Sequence, residues 1–407
     1  MKSSFFRVLA SLALVLPALA QDLAIKAERI HTVSGAVIEN GVVVIKGGKI
    51  VAVGTERQVQ APAGMRVLTA KVATPGLVDA HSVVGLAGYL NQPQDQDQHD
   101  PGAPLQPELR AIDAYNARER LVEWVRGFGV TTLHTGHGPQ ALISGQTLVA
   151  KTRGNTVEEA VIVPRAMIAA TLGEGSREEG KGKSPGTAGK QLAMLRESLI
   201  GAQEYQKKLR AAGDDTTKKP DRDLRKEALV DVLERKVPLL VTANRHQDIS
   251  SALRLGAEFG IQIVLDGAAE SYVVLDEVRR ARVPVILHPP MARFVGELEN
   301  ASRSTYAKFV DAGIPFALQS GFESYVPKTR VVLYEAGVAA AYGLGAEKAL
   351  RSITLDAARV LGLEARLGSL EVGKDGDVAL YDGDPLEYTS HCVATVIEGV
   401  VVFEGSR

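Results

Sequence analysis

A chain of 407 residues, 45% hydrophobic and 23% charged, is long enough for one large domain with a satellite or for two domains. A formal net charge of −1 and an aromatic content of 5% argue against nucleic acid as a partner and give no attraction to an acidic membrane surface. A single cysteine, Cys392, excludes an intramolecular disulfide and reads as a small buried hydrophobe, a usage that suits an oxidising compartment.

The N-terminus has the layout of a cleaved export signal. Lys2 and Arg7 supply the positive region, Val8 to Leu16 is apolar apart from Ser11, and Ala18-Leu19-Ala20 presents small residues to signal peptidase. Cleavage after Ala20 is expected, giving an exported, periplasmic chain that starts at Gln21. No later segment approaches the roughly 18 apolar residues of a membrane span.

From Leu23 to Val72 the pattern is short β-branched runs separated by Asn40-Gly41, Gly47-Gly48 and Gly54, the punctuation of hairpins. Val378 to Tyr381, Val393 to Ile397 and Val400 to Phe403 repeat the style at the other end. Segments 21–73 and 368–407 therefore predict one composite β-sandwich.

Residues 74–367 alternate strand and helix. Eight apolar strand candidates are Leu77-Val78, Val130 to Leu133, Thr147 to Ala150, Val161 to Ala170, Pro238 to Val241, Ile261 to Leu265, Pro284 to Leu287 and Pro315 to Leu318. Helical periodicity follows in Ile249 to Phe259, Tyr272 to Arg282, Thr329 to Ala341 and Glu347 to Leu361. Eight β-α units predict an α/β fold, a distorted (β/α)8 TIM barrel. A doubly wound sheet is disfavoured because no glycine-rich phosphate loop follows the first strand. A polar insertion at about 173–224, containing an amphipathic helix over Gln191 to Arg210, either covers part of the barrel mouth or is a solvated excursion. The amide-rich loop from Leu90 to Asp100 should lie over the mouth.

Several segments together resemble the imidazolonepropionase-like branch of the amidohydrolase superfamily. They are Asn40-Gly41 with Gly47-Gly48-Lys49-Ile50, Pro75-Gly76-Leu77-Val78-Asp79-Ala80-His81, Asp248, Glu270-Ser271-Tyr272, Thr354 to Arg359, and Gly368-Ser369-Leu370-Glu371-Val372-Gly373-Lys374-Asp375-Gly376-Asp377. The resemblance implies hydrolysis of carbon–nitrogen bonds by a water held on one or two divalent metals, whose charge lowers the pKa of the water. It implies ligands from a His pair on the first barrel strand, a His on the fifth, a His on the sixth and an Asp on the eighth, which also takes the proton. Some members add a carboxylated Lys.

At those positions this chain has His81 followed by Val83, then Asn244, Asp266 and Gly321. Only His81 and Asp266 are ionisable ligands, so a standard binuclear centre is not intact. Other polar residues follow strand candidates: His134 and His137, Lys151, Glu174, His288 and Glu323. Three readings stay open. The candidates His81, His134, His137, Asp266 and His288 rebuild a site for a single zinc or other divalent ion, or they run metal-free acid–base chemistry, or they line a pocket without turnover. Each histidine also has a plain structural reading, a hydrogen bond to a loop carbonyl. Lys151 is either a carboxylated ligand or the partner of a carboxylate. The expected partner is a small-molecule ligand or substrate, with no nucleic acid and no membrane span, and homo-oligomerisation is left open. The function read is a hydrolase-type barrel for carbon–nitrogen bonds, or alternatively an inactive homologue that binds a ligand or partner in the periplasm.

Overall fold

The computed structural model of the chain describes residues 22–90, 92–177, 183–322 and 331–405. The expected signal segment and Glu323 lie outside them. The N-terminal strands are β1 (Leu23–Ile30), β2 (Ile38–Lys46), β3 (Lys49–Thr55) and β4 (Arg66–Pro75). Gly47 and Gly48 take the positive φ of a tight hairpin turn between β2 and β3.

The barrel strands are β5 (Leu77–Ser82), β6 (Val130–Gly136), β7 (Ile143–Lys151), β8 (Val161–Val163), β9 (Ile168–Thr171), β10 (Leu239–Ala243), β11 (Ile263–Gly267), β12 (Val285–Leu287) and β13 (Phe316–Leu318). The chain ends with β14 (Val378–Tyr381), β15 (Cys392–Ile397) and β16 (Val400–Glu404).

Both chain ends build one sheet in the order β16-β15-β14-β4-β1-β2-β3. Leu23, Ile25, Val43 and Ile45 from one end pack with Leu370, Val378 and Val396 from the other. The expected composite arrangement therefore forms through β4, which is parallel to β1 and antiparallel to β14.

Beyond Gly76 the chain enters the barrel, ordered β5-β6-β7-β9-β10-β11-β12-β13. The ring closes where Ser82 bridges Gly321, whose N–H donates to the His81 carbonyl at 3.1 Å. The predicted strand Val161 to Ala170 is split in two, with β8 pairing on β7 outside the ring path. A larger departure is direction. β7 is antiparallel to both β6 and β9, so the ring is not uniformly parallel. Its end therefore lies at the N-terminal face, where Lys151 stands opposite Thr132.

Lys151 is thus not a mouth residue. It is buried and pairs with Asp375 at 3.1 Å and with Asp377, tying the barrel floor to the composite sheet. Of its two readings, the carboxylate partnership is the one formed.

Ala80, Ala169, Leu240, Val264, Ile286 and Ala317 belong to six different strands and pack together. Side chains from six strands can meet only inside the ring. Strand side chains repeat every two residues. Thr242, Asp266, His288 and Gln319 follow four of these core positions by two, so they face the same interior one layer nearer the mouth.

Outer positions such as Val241, Leu265, Val285 and Leu318 bury against the surrounding helices. Helix Ala188–Ala212 of the insertion packs beside Leu224–Leu233 and His246–Phe259. It belongs to this outer layer rather than to a cover over the mouth. Glu347 to Leu361 forms two helices, Ala346–Ser352 and Leu355–Val360, because Thr354 takes a non-helical conformation between them.

Candidate functional site

The centre of the mouth is a histidine–carboxylate pair. His81 Nδ1 lies 3.0 Å from Asp266 Oδ1, both side chains almost fully buried. Asp266 also accepts from Thr242 Oγ1 at 2.6 Å and from Gln319 Nε2 at 2.8 Å. Burial works against both charges. The mutual attraction and these hydrogen bonds outweigh it, so His81 sits above its usual pKa and Asp266 below. The other ring nitrogen, His81 Nε2, is buried without a hydrogen-bond partner.

Asp79, two residues earlier, has a different task. Its Oδ1 accepts from Ser320 N at 3.0 Å and His81 N at 3.4 Å, clipping β5 to the segment after β13. Burial, only partly offset by these bonds, pushes its pKa up to about 6.

The His134 ring is centred 5.5 Å from that of His81. Its Nδ1 is 2.6 Å from the Ala80 carbonyl, which can only accept, so Nδ1 carries the proton. Nε2 then accepts from Thr147 Oγ1 at 2.7 Å. Burial and the nearby His81 charge lower its pKa to about 3. Both nitrogens are committed, which is the structural reading of this residue.

His288 is enclosed by Tyr306, Phe294 and Pro289. Its Nδ1 is 3.2 Å from the Pro289 carbonyl, and burial lowers its pKa to about 4. His137 lies beneath the amide-rich loop, where Gly138 N donates to the Gln98 carbonyl at 2.7 Å. Both its ring nitrogens are buried and unpartnered, as are Gln98 Oε1 and Ser144 Oγ. Burial, then the neighbouring His99, lowers the His137 pKa to about 4.

Around the rim, Arg245 pairs with Glu174 at 3.1 Å, and Glu297 accepts from Glu174 N. Glu270, of the Glu270-Ser271-Tyr272 motif, accepts from His246 Nδ1 at 2.7 Å and from Asn300 Nδ2 at 2.8 Å. His246, Thr242, Gln319 and Thr147 carry no motif signal. Only the period-two spacing from the strand cores could have pointed to Thr242 and Gln319.

The donor set at the mouth does not match a metal centre. His81 and Asp266 are bonded to each other, Val83 offers no donor atom, and Asn244 offers a neutral amide, a weak ligand for zinc. Gly321 has φ of 74°, and a Cβ there would stand 2.7 Å from Pro289 Cγ, so a ligand side chain at this position would be strained and would have to displace Pro289. Among the described residues no group of three or more His, Cys, Asp or Glu side chains could hold an ion. The residues present do not fit a binuclear centre, and His81, His134, His137, Asp266 and His288 do not converge on one ion.

A barrel of eight strands, a composite sheet from both chain ends and a polar cluster at the strand ends define an amidohydrolase-type protein. The chain belongs to the amidohydrolase family, whose model, described as Amidohydrolase family, matches residues 199–403. It is similar along its length to an imidazolonepropionase of Kosmotoga olearia, with 24% identity over 90% of this chain and 92% of that protein. This agrees with the imidazolonepropionase-like branch. An amidohydrolase from Thermotoga maritima superimposes with a TM-score of 0.88 at 26% identity, covering 94% of this chain and all of that one. A zinc-bound adenosine deaminase from Xanthomonas campestris, at 18% identity and a TM-score of 0.56 over 95% and 93% of the two chains, shares only the fold. No helix among the described residues is long and apolar enough to cross a membrane.

Proposed function

We propose that this protein is an exported member of the amidohydrolase family whose barrel mouth binds a small polar molecule without a binuclear metal centre. The observation that carries the reading is the buried, unpartnered Nε2 of His81, fixed in orientation by Asp266. A buried polar atom left without a partner costs about 1–3 kcal/mol, so a ligand group that meets it gains directly. The open nitrogens of His137 and Oγ of Ser144 extend the same demand along the mouth. Export rests on the order Lys2, Arg7, Val8 to Leu16 and Ala18-Leu19-Ala20. The family fold alone does not decide activity.

A second reading is metal-independent hydrolysis of a carbon–nitrogen bond. It is favoured by the same pair, because a histidine oriented by a carboxylate is what a general base requires.

The test uses protein secreted with its own leader and purified without added metal. N-terminal sequencing, metal analysis, turnover on an amide and lactam panel, and a thermal-shift ligand screen are compared with His81→Gln. A start at Gln21, substoichiometric metal, no turnover and a ligand whose shift is lost in the variant are expected. Stoichiometric metal lost in the variant would overturn the proposal. Metal-free turnover abolished by both His81→Gln and Asp266→Asn would select the second reading.

A further inference from the structure

The face of the barrel opposite the mouth carries two adjoining clefts, of about 540 and 430 Å³. Both are within the size range of small-molecule sites, the larger well inside it. They lie at the N-terminal ends of β12 and β13, where Val283-Pro284 and Ile314-Pro315 lead into the strands. The floor of the larger cleft is apolar, with Val278 and Val360 beside these four residues.

The walls are cationic. Arg279, Arg282 and Arg359 line the larger cleft, and Lys348 and Arg351 line the smaller together with Arg359. Among the described residues Asp356 is the one carboxylate lining either cleft. Its charge is already committed, to Arg351 Nε at 3.0 Å and Arg359 Nη1 at 2.8 Å. Arg282 and Lys348 have no ion-pair partner among the described residues. Among the described residues five cations line the two clefts against one carboxylate, and Arg279 is also held by Asp276 beside them at 2.8 Å, which leaves Arg282 and Lys348 as the uncompensated charges.

We propose that this face is a second binding site, for an organic anion with an apolar body. The prolines, Val278 and Val360 would take the body. The acidic group, carboxylate or phosphate ester, would lie against Arg282 and its neighbours, whose planar guanidinium matches either geometry. The proposal is independent of what the mouth binds.

The experiment is calorimetric titration of the mature protein with phenyl phosphate and with benzoate. Inorganic phosphate and benzyl alcohol serve as controls for charge without body and body without charge. Saturable binding of at least one aryl anion, about tenfold tighter than either control, is expected. Arg279→Gln with Arg282→Asn should weaken it about tenfold or more, since both side chains are exposed and Asn tolerates the positive φ at position 282. His81→Gln should leave it unchanged, which separates this site from the mouth. The proposal is overturned by the absence of saturable binding, by inorganic phosphate binding as tightly as phenyl phosphate, or by binding that survives the double substitution.

Discussion

His81 and Asp266 lie 185 positions apart in sequence and on strands that are not neighbours, yet their side chains meet at 3.0 Å across the barrel mouth. The pair is buried, so each charge depends on the other. Asp266→Ala should cost about 3–5 kcal/mol in unfolding free energy, because His81, Thr242 and Gln319 all lose their acceptor. Asp266→Asn should cost less and should lower the His81 pKa. Denaturant unfolding reads the first effect and an NMR titration of the His81 ring reads the second. An unmoved His81 titration would contradict the assigned partnership.

The barrel floor depends on another buried pair. Lys151 meets Asp375 and Asp377, while Lys49 and Arg366 also hold Asp375, at 2.6 Å each. Lys151→Met strands carboxylate charge in the interior and should destabilise the fold by about 3–5 kcal/mol. Ligand binding at the mouth should survive at temperatures where the variant is folded. Loss of mouth binding in the folded variant would return Lys151 to the site.

Gly76 explains part of the Pro75-Gly76-Leu77 motif in terms of packing. Its N–H donates to the Asp377 carbonyl at 2.9 Å, and a Cβ at this position would overlap the Thr131 side chain on β6. Gly76→Ala should lower stability by about 1–3 kcal/mol, as overpacked cores do. Adding Thr131→Ala should recover part of that loss, measured as a double-mutant cycle. A cycle with no coupling would show that the glycine serves something other than this contact.

Stability should fall as the solution is acidified from pH 6.5 towards 4. His134, His137 and His288 have native pKa values of about 3, 4 and 4, against 6.5 in the unfolded chain. In that window the unfolded state binds protons that the native state refuses, each group contributing up to about 1.4 kcal/mol per pH unit. Asp79, with a native value of about 6 against 3.8, and the raised Asp248, Glu297, Asp356 and Asp377 act in the opposite sense and soften the fall, while the lowered His31, Glu270 and Asp375 add to it. The raised His81 contributes stability that is fully present below pH 6.5 and lost as pH rises through its native value. The lowered Asp266 keeps its contribution down to about pH 3.8 and loses it below. The unfolding temperature measured from pH 7 to 4.5 should therefore drop, and His137→Gln should flatten the slope.

Gly321 tests whether the mouth can be returned to the family pattern by single changes. With φ of 74° and Pro289 against its Cβ direction, Gly321→Asp should destabilise the fold by about 1–3 kcal/mol. Even combined with Val83→His and Asn244→His, it should not yield a stoichiometric metal centre in metal analysis. Full zinc occupancy in the triple variant would show that only side chains, not the backbone, separate this mouth from its relatives.

Local pattern was enough to read the barrel, the composite sheet and the positions at which Val83, Asn244 and Gly321 stand. Strand runs such as Val130 to Leu133 and Ile261 to Leu265 are local signals, because burial on a strand imposes its own hydrophobic pattern. Strand direction and side-chain partnership came from the folded arrangement. Hydrophobic pattern is the same whichever way a strand runs, so nothing in Ile143–Lys151 announced that β7 is reversed and carries Lys151 to the floor. The same holds for the histidines. Whether a ring nitrogen is spent, as in His134, or open, as in His81, is set by atoms brought from remote strands. Residue type fixes what His81 can do, and the packing of Asp266 beside it fixes which nitrogen is left to do it.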